Sequence, residues 1–147
     1  MIEKIRAPAE VRFDISGEIV QGKQLGRTIG FPTVNLICPE RDDLLPNGVY
    51  IAAIEIFTGA YAGHIYPCVL NQGHQPTAPS GMPTVEAHIP HFSGDLYGAQ
   101  VTITYIRYLR PEVKFPSLDA LKAQLAVDTK AACDFFADND IPAPDHP

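Results

Sequence analysis

Two short stretches carry the residues best suited to chemistry. The first is "GKQLGRTIGFPTVN" (22–35), in which Gly22, Gly26 and Gly30 fall at four-residue intervals before a Pro-Thr step. Glycine admits positive φ and a close backbone approach, so the run fits either a loop whose amides face an anion or a plain mobile connection. Arg27 and, less centrally, Lys23 supply cations that either neutralise phosphate or face solvent. No Gly-Lys-Ser/Thr ends the run and no βαβ pattern surrounds it, which excludes a Walker A loop and a dinucleotide fingerprint. Thr33 and Asn35 stand two residues apart behind Pro32. In an extended segment their side chains share one side. A hydroxyl and a carboxamide oxygen are hard neutral ligands, enough for a magnesium ion that takes its other ligands from phosphate and water; the alternative is a local Asx or Ser/Thr turn.

The second stretch is "TVEAHI" (84–89). Strand alternation sets Val85, Ala87 and Ile89 on one face and Glu86 and His88 on the other. Glu86 is either a general base or a solvated carboxylate. His88 reads as a surface residue or one that supports the site from behind. Further on, "YLRPEVKF" (108–115) makes a stiff Arg110-Pro111 corner, where Arg110, Glu112 and Phe115 can line a pocket for a planar polar ring. Phe115 serves equally well as a hydrophobic anchor for the helix start.

These groups need a frame, and the apolar pattern supplies one. Val11, Phe13, Ile15 and Ile19 alternate in "VRFDISGEIV". "GVYIAAIEIF" (48–57) is apolar on both faces, and "AQVTITYIRYL" (99–109) is rich in β-branched and aromatic residues. "YAGHIYPCVLN" is a weaker strand because Pro67 interrupts it. With turn signals between the runs, five or six strands without intervening helices predict an antiparallel barrel or sandwich. The end differs: Ser117 can cap a helix, with Asp119 in its first turn. Leu118, Leu121, Leu125, Ala132, Phe135 and Phe136 form an apolar stripe that Asp128 interrupts. Asp128 reads as a rim position or the partner of a nearby arginine, with a functional role as the other option.

The chain of 147 residues has the size of one domain, here 1–147 with a core about 11–137 and tails at 1–10 and 138–147. Its formal net charge of −6 argues against a broad electrostatic grip on nucleic acid. Cys38, Cys68 and Cys133 show no metal-ligand spacing and read as unpaired thiols of a reducing compartment. With no apolar run suited to a leader or a membrane span, the expectation is a cytoplasmic protein.

"ISGEIVQGKQLGRTIGFPTVNL" resembles the opening of the flavokinase family, the ATP-dependent riboflavin kinases, in its bacterial form. "LLPNGVYIA", "PTVEAHI", "GDLYGAQVTI" and "YLRPEVKFPSLDALKAQLAVD" follow in order, so the resemblance covers roughly residues 13–136. It implies a mainly β fold: a six-stranded antiparallel Greek-key barrel with a C-terminal α-helix. It also implies transfer of the γ-phosphoryl of ATP to the 5′-hydroxyl of riboflavin, giving FMN and ADP, with Mg2+ as cofactor. By the same resemblance Glu86 is catalytic, and Gly22, Gly26, Arg27, Thr28, Gly30 and Thr33 bind nucleotide. Thr33 and Asn35 hold the metal, and Arg110, Glu112 and Phe115 form the flavin side. In bacteria such a domain often forms the C-terminal half of a bifunctional FAD synthetase. The chain is expected to be a stand-alone kinase, leaving adenylylation to a separate FAD synthetase, or an excised module. One stretch departs from the family pattern: residues 64–83 keep Asn71, Gly73, Pro76 and Thr77 but add Tyr66, Pro67, Pro79 and Pro83, which should reshape the ligand approach. Two other readings stand beside the kinase, a flavin- or nucleotide-binding module without turnover and a split-barrel redox flavoprotein.

Overall fold

The computed structural model describes residues 13–20, 30–37, 43–73 and 83–138. They form six strands, β1 (Phe13–Glu18), β2 (Val34–Ile37), β3 (Gly48–Ile56), β4 (Ile65–Gly73), β5 (Thr84–His88) and β6 (Gln100–Arg110), then one helix, α1 (Leu118–Asp138). Every pairing is antiparallel, in the order β1-β6-β3-β4-β5-β2. Strands β3, β4 and β5 follow one another as neighbours, and β6 returns to lie beside β3, which is the Greek-key arrangement. A bridge between Val20 and Asn35, with the Val20 N–H donating to the Asn35 carbonyl at 2.8 Å, nearly closes the barrel. At that seam Gly17 faces inward: a Cβ there would stand 2.9 Å from the Leu36 Cδ1, so the glycine leaves room for that buried side chain.

Strand β3 is buried on both sides, as its apolar run predicts. Tyr50, Ala52, Ile54 and Ile56 belong to the barrel core with Leu36, Leu70, Val85 and Ala87, while Val49, Ile51 and Ala53 pack outward against Ala132, Phe135 and Phe136 of α1. The weak strand around Pro67 is in fact a full nine-residue strand. Pro67 pairs with Ala53 of β3, whereas the β4–β5 register begins only at Val69. Among the described residues the proline thus sits where β4 has no paired strand on its other side, and its missing N–H breaks no ladder there. The β2 segment, only four residues long, is a strand that periodicity did not mark.

Helix α1 starts as expected, with the Ala120 N–H donating to Ser117 Oγ at 3.1 Å. Its stripe is narrower than the sequence suggested: Leu118 is 52% exposed, and the buried set is Asp128, Ala132, Phe135 and Phe136. Cys68 is buried and Cys133 half-buried, both as free thiols; Cys38 lies outside the described residues. No described helix is long and apolar enough to cross a membrane.

Strand β6 carries two register shifts against β3. Tyr105 pairs with Ala52 but Arg107 with Ile51, and Tyr108 pairs with Tyr50 but Arg110 with Val49. Ile106 and Leu109 are the extra residues of two bulges. Since residues paired across strands share a face, Arg107 and Arg110 both point to the helix side with Ile51 and Val49.

Candidate functional site

The register builds a row of side chains across the sheet. Asn35 of β2 lies opposite Glu86 of β5, and Glu86 opposite Asn71 of β4. Asn71 in turn faces Val49 of β3, and Val49 faces Arg110 of β6. Val49 packs toward α1, so the whole row lies on the outer face of the barrel. The inward alternates in β5, Val85 and Ala87, are wholly buried in the barrel, so the alternation read from the sequence is the one observed.

Two clefts meet at this row. The first, about 590 Å³, is lined among the described residues by Val20, Pro32, Thr33, Asn35 and the 92–97 loop. The second, about 300 Å³, lies between the sheet and the first half of α1. Glu86, Asn71, Arg110, Glu112 and Phe115 line it on one side, and Leu121, Leu125, Asp128 and Thr129 on the other. Thr33 borders both. Of the nucleotide-side residues named from sequence, Gly22, Gly26, Arg27 and Thr28 lie outside the described residues. Gly30 has φ +90°, the left-handed region that glycine favours. The flavin-side trio Arg110, Glu112 and Phe115 gathers in the second cleft with Glu86, and Asn35 stands beside Glu86 at the edge of the first.

Local contacts fix these side chains. Arg110 donates from Nη2 to Asp128 Oδ2 at 2.7 Å and from Nε to both carboxylate oxygens at 3.2–3.3 Å; Gln124 Nε2 adds a bond to Asp128 Oδ1 at 3.0 Å. Asp128 is therefore the arginine's partner, the plainer of its two readings. With Nη1 directed to the Pro111 carbonyl, Arg110 lies over Phe115, its Cζ 5.6 Å from the ring centroid. Glu112 lies against Gly73, where a Cβ would collide with its carboxylate, so this glycine makes room for the acid. His88 is not a surface residue: it is 9% exposed, bonded through Nδ1 to the Pro32 carbonyl at 2.8 Å and packed edge-on to Phe31. Burial lowers its pKa, outweighing that hydrogen bond. Asn71 went unremarked as a site residue although it stands next to Glu86; its Oδ1 is buried with no hydrogen-bond partner among the described residues, as is Thr129 Oγ1 on the opposite wall. Nothing in the sequence alone marks that juxtaposition, which depends on the β4–β5 register.

Among the described residues no three His, Cys, Asp or Glu side chains gather around a metal position. The donors on hand, Thr33 and Asn35, suit a small hard cation that brings phosphate oxygens with it, which is how magnesium is usually held beside a nucleotide.

The class of fold is a six-stranded antiparallel Greek-key barrel with one C-terminal helix, in which Thr33 borders two clefts. The chain belongs to the flavokinase family: the riboflavin kinase family model matches residues 9–136. It is 41% identical over 125 residues to the bifunctional riboflavin kinase/FMN adenylyltransferase of Escherichia coli strain K12, covering 84% of this chain and 38% of that protein. A riboflavin kinase from Trypanosoma brucei superposes with a TM-score of 0.59 at 25% identity, over 86% of this chain and 80% of the other. A Streptococcus pneumoniae structure described as a macrolide-efflux protein superposes with a TM-score of 0.71 at 30% identity, over 84% of this chain and 39% of that one. The chain spans about two fifths of the length of the curated bacterial relatives it matches.

Proposed function

We propose that this chain, residues 1–147 as one riboflavin-kinase-like domain with its core at about 11–137, transfers the γ-phosphoryl of ATP to the 5′-hydroxyl of riboflavin. The observation that carries this reading is the pairing of Asn35 with Glu86 where the two clefts meet, with Thr33 bordering both. ATP takes the first cleft, with Gly22, Gly26, Arg27, Thr28 and Gly30 as its nucleotide-binding residues, and riboflavin takes the second. Thr33 and Asn35 would hold Mg2+, which on binding neutralises phosphate charge.

The reaction forms a bond from the ribityl 5′-oxygen to the γ-phosphorus and breaks the bond from that phosphorus to the bridging oxygen, releasing ADP. Such transfer has a loose transition state, so positioning outweighs deprotonation. Glu86 orients the hydroxyl and accepts its proton late, a contribution of about 10²–10⁴-fold for a well-placed base. Arg110 works as part of the wall: its bonds to Asp128 and the Pro111 carbonyl hold it over Phe115, so the two line the cleft for a planar ring, with Glu112 at the polar edge. The curated bacterial relatives are named for FMN adenylyltransferase as well as riboflavin kinase, and that second activity lies outside this proposal.

The test incubates the protein with riboflavin, ATP and Mg2+ and follows FMN by chromatography. Glu86→Gln should lower turnover by about 10²-fold or more with nucleotide binding retained. A variant as fast as wild type removes Glu86 from the mechanism, and wild type that makes no FMN removes the kinase reading.

A further inference from the structure

The hydrogen bond from His88 ties two parts of the chain 56 residues apart. The Pro32 carbonyl can only accept, so Nδ1 of His88 carries the hydrogen, and the neutral ring leaves Nε2 as an acceptor. Pro32 has no N–H, so its carbonyl is the one backbone group through which a hydrogen bond can fasten that residue. The β2–β5 ladder begins at Val34, paired with Ala87. The tie from His88 therefore acts just beyond the ladder's end, where a strand would otherwise fray. Phe31, edge-on to the imidazole at 5.2 Å between centroids, holds the same segment from the other side of the proline.

Thr33 is the residue between these two attachments, with Pro32 fastened by His88 and Val34 fastened by the ladder. It is also the residue common to both clefts. We propose that His88 is a positioning residue: by clamping the Pro32 carbonyl it fixes the direction of the Thr33 hydroxyl and so sets the affinity for the metal–nucleotide complex. This rests on the reading of Thr33 as a ligand of that complex. A buried histidine that merely satisfied its own polar atoms would contribute to stability and nothing else, and the two roles differ in what they require. Positioning requires a donor at the place of Nδ1, whereas filling space requires only volume.

Three proteins separate them: wild type, His88→Asn, whose side-chain amide can put an N–H near the place of Nδ1, and His88→Leu, which fills similar space without a donor. Binding of ADP with Mn2+ is followed by calorimetry, and binding of riboflavin by fluorescence quenching. Loss of one hydrogen bond at a positioned ligand corresponds to a weakening of about tenfold. We expect His88→Leu to bind Mn-ADP about tenfold more weakly than wild type and His88→Asn to stay within about threefold of it. Riboflavin affinity should shift equally in both variants, because both remove the same ring from the second cleft. Equal Mn-ADP affinity in the leucine variant and wild type overturns the proposal, as does an asparagine variant as weak as leucine. Should leucine prevent folding, His88→Gln replaces it: its amide lies farther from the backbone, so it too should fall below asparagine, and equality of the two again overturns the proposal. Wild type that fails to bind Mn-ADP at all refutes the kinase reading as well, an outcome distinct from the other three.

Discussion

Asp128→Ala tests whether an ion pair holds the wall of the second cleft. The Asp128 side chain is 4% exposed and receives three hydrogen bonds from Arg110 and one from Gln124; the Arg110 side chain is 19% exposed. Removing one partner of a buried pair costs about 3–5 kcal/mol, because the other charge stays behind unpaired. An exposed pair is worth only about 0–1 kcal/mol. Arg110 lies between these limits, since it lines a cleft that water can enter and can be partly rehydrated there. The expected loss is therefore about 2–3 kcal/mol, below the fully buried range and above the surface one. Asp128→Asn keeps an acceptor for the guanidinium and should lose about 1 kcal/mol. Arg110→Met with Asp128→Leu removes both charges and leaves apolar volume, so it should come within about 1 kcal/mol of wild type. Urea unfolding with a common slope measures all three. An alanine variant within about 0.5 kcal/mol of wild type, the range of an ordinary surface substitution, refutes the buried-clasp argument. So does a double variant no more stable than the single one.

Two further outcomes follow from the interior. Tyr105→Phe removes the hydroxyl that donates to Gln72 Oε1 at 2.7 Å inside the barrel, and the orphaned acceptor should cost about 1–3 kcal/mol in the same titration; an unchanged midpoint would mean the amide finds another partner. Burial pushes the Cys68 thiol up, and burial with the Asp134 charge raises Cys133. A raised thiol is protonated at neutral pH and gains thiolate only as pH rises, so Cys133 alkylation should still accelerate through pH 9. Cys68 should stay unlabelled until denaturant is added, and peptide mapping that finds it modified in the native protein contradicts its burial.

How much of this was legible in the sequence depended on whether a feature is local. The Ser117 cap, the two-faced burial of β3 and the alternation around Glu86 are set by neighbouring residues, and each appears as read. Leu118 misled because helical spacing says which residues share a stripe but not where the sheet beneath them ends. Pro67 misled because its penalty depends on a neighbouring strand, and among the described residues none pairs with that part of β4 on the side away from β3. Asn35 and Glu86 could each be picked out by type, the latter only with the family resemblance beside it. Their adjacency required the β2–β5 register, which spans some fifty residues. His88 shows the same limit: alternation put it on the correct face, but the segment that covers it comes from far upstream.

The bulges in β6 tie this nonlocal geometry to the site. Counting alternately from the inward Tyr105, an unbroken strand would send Arg107 into the barrel, where a guanidinium has no water and few acceptors. The extra residue at Ile106 turns Arg107 outward, over the Phe135 ring at 5.1 Å. That single insertion would then turn Arg110 inward, and the second bulge, at Leu109, restores it to the helix side. Both arginines thereby meet α1, one against Phe135 near its end and one at Asp128 near its middle. The helix is seated by two directional contacts as well as by apolar area, and area alone would tolerate sliding. Because Leu121, Leu125 and Thr129 ride on that helix, the shape of the second cleft depends on the register of a strand three positions away in the sheet from β5, which carries Glu86. Deleting Ile106 should accordingly disturb the cleft more than any single substitution in its lining, since it redirects every side chain from Arg107 to Arg110 at once.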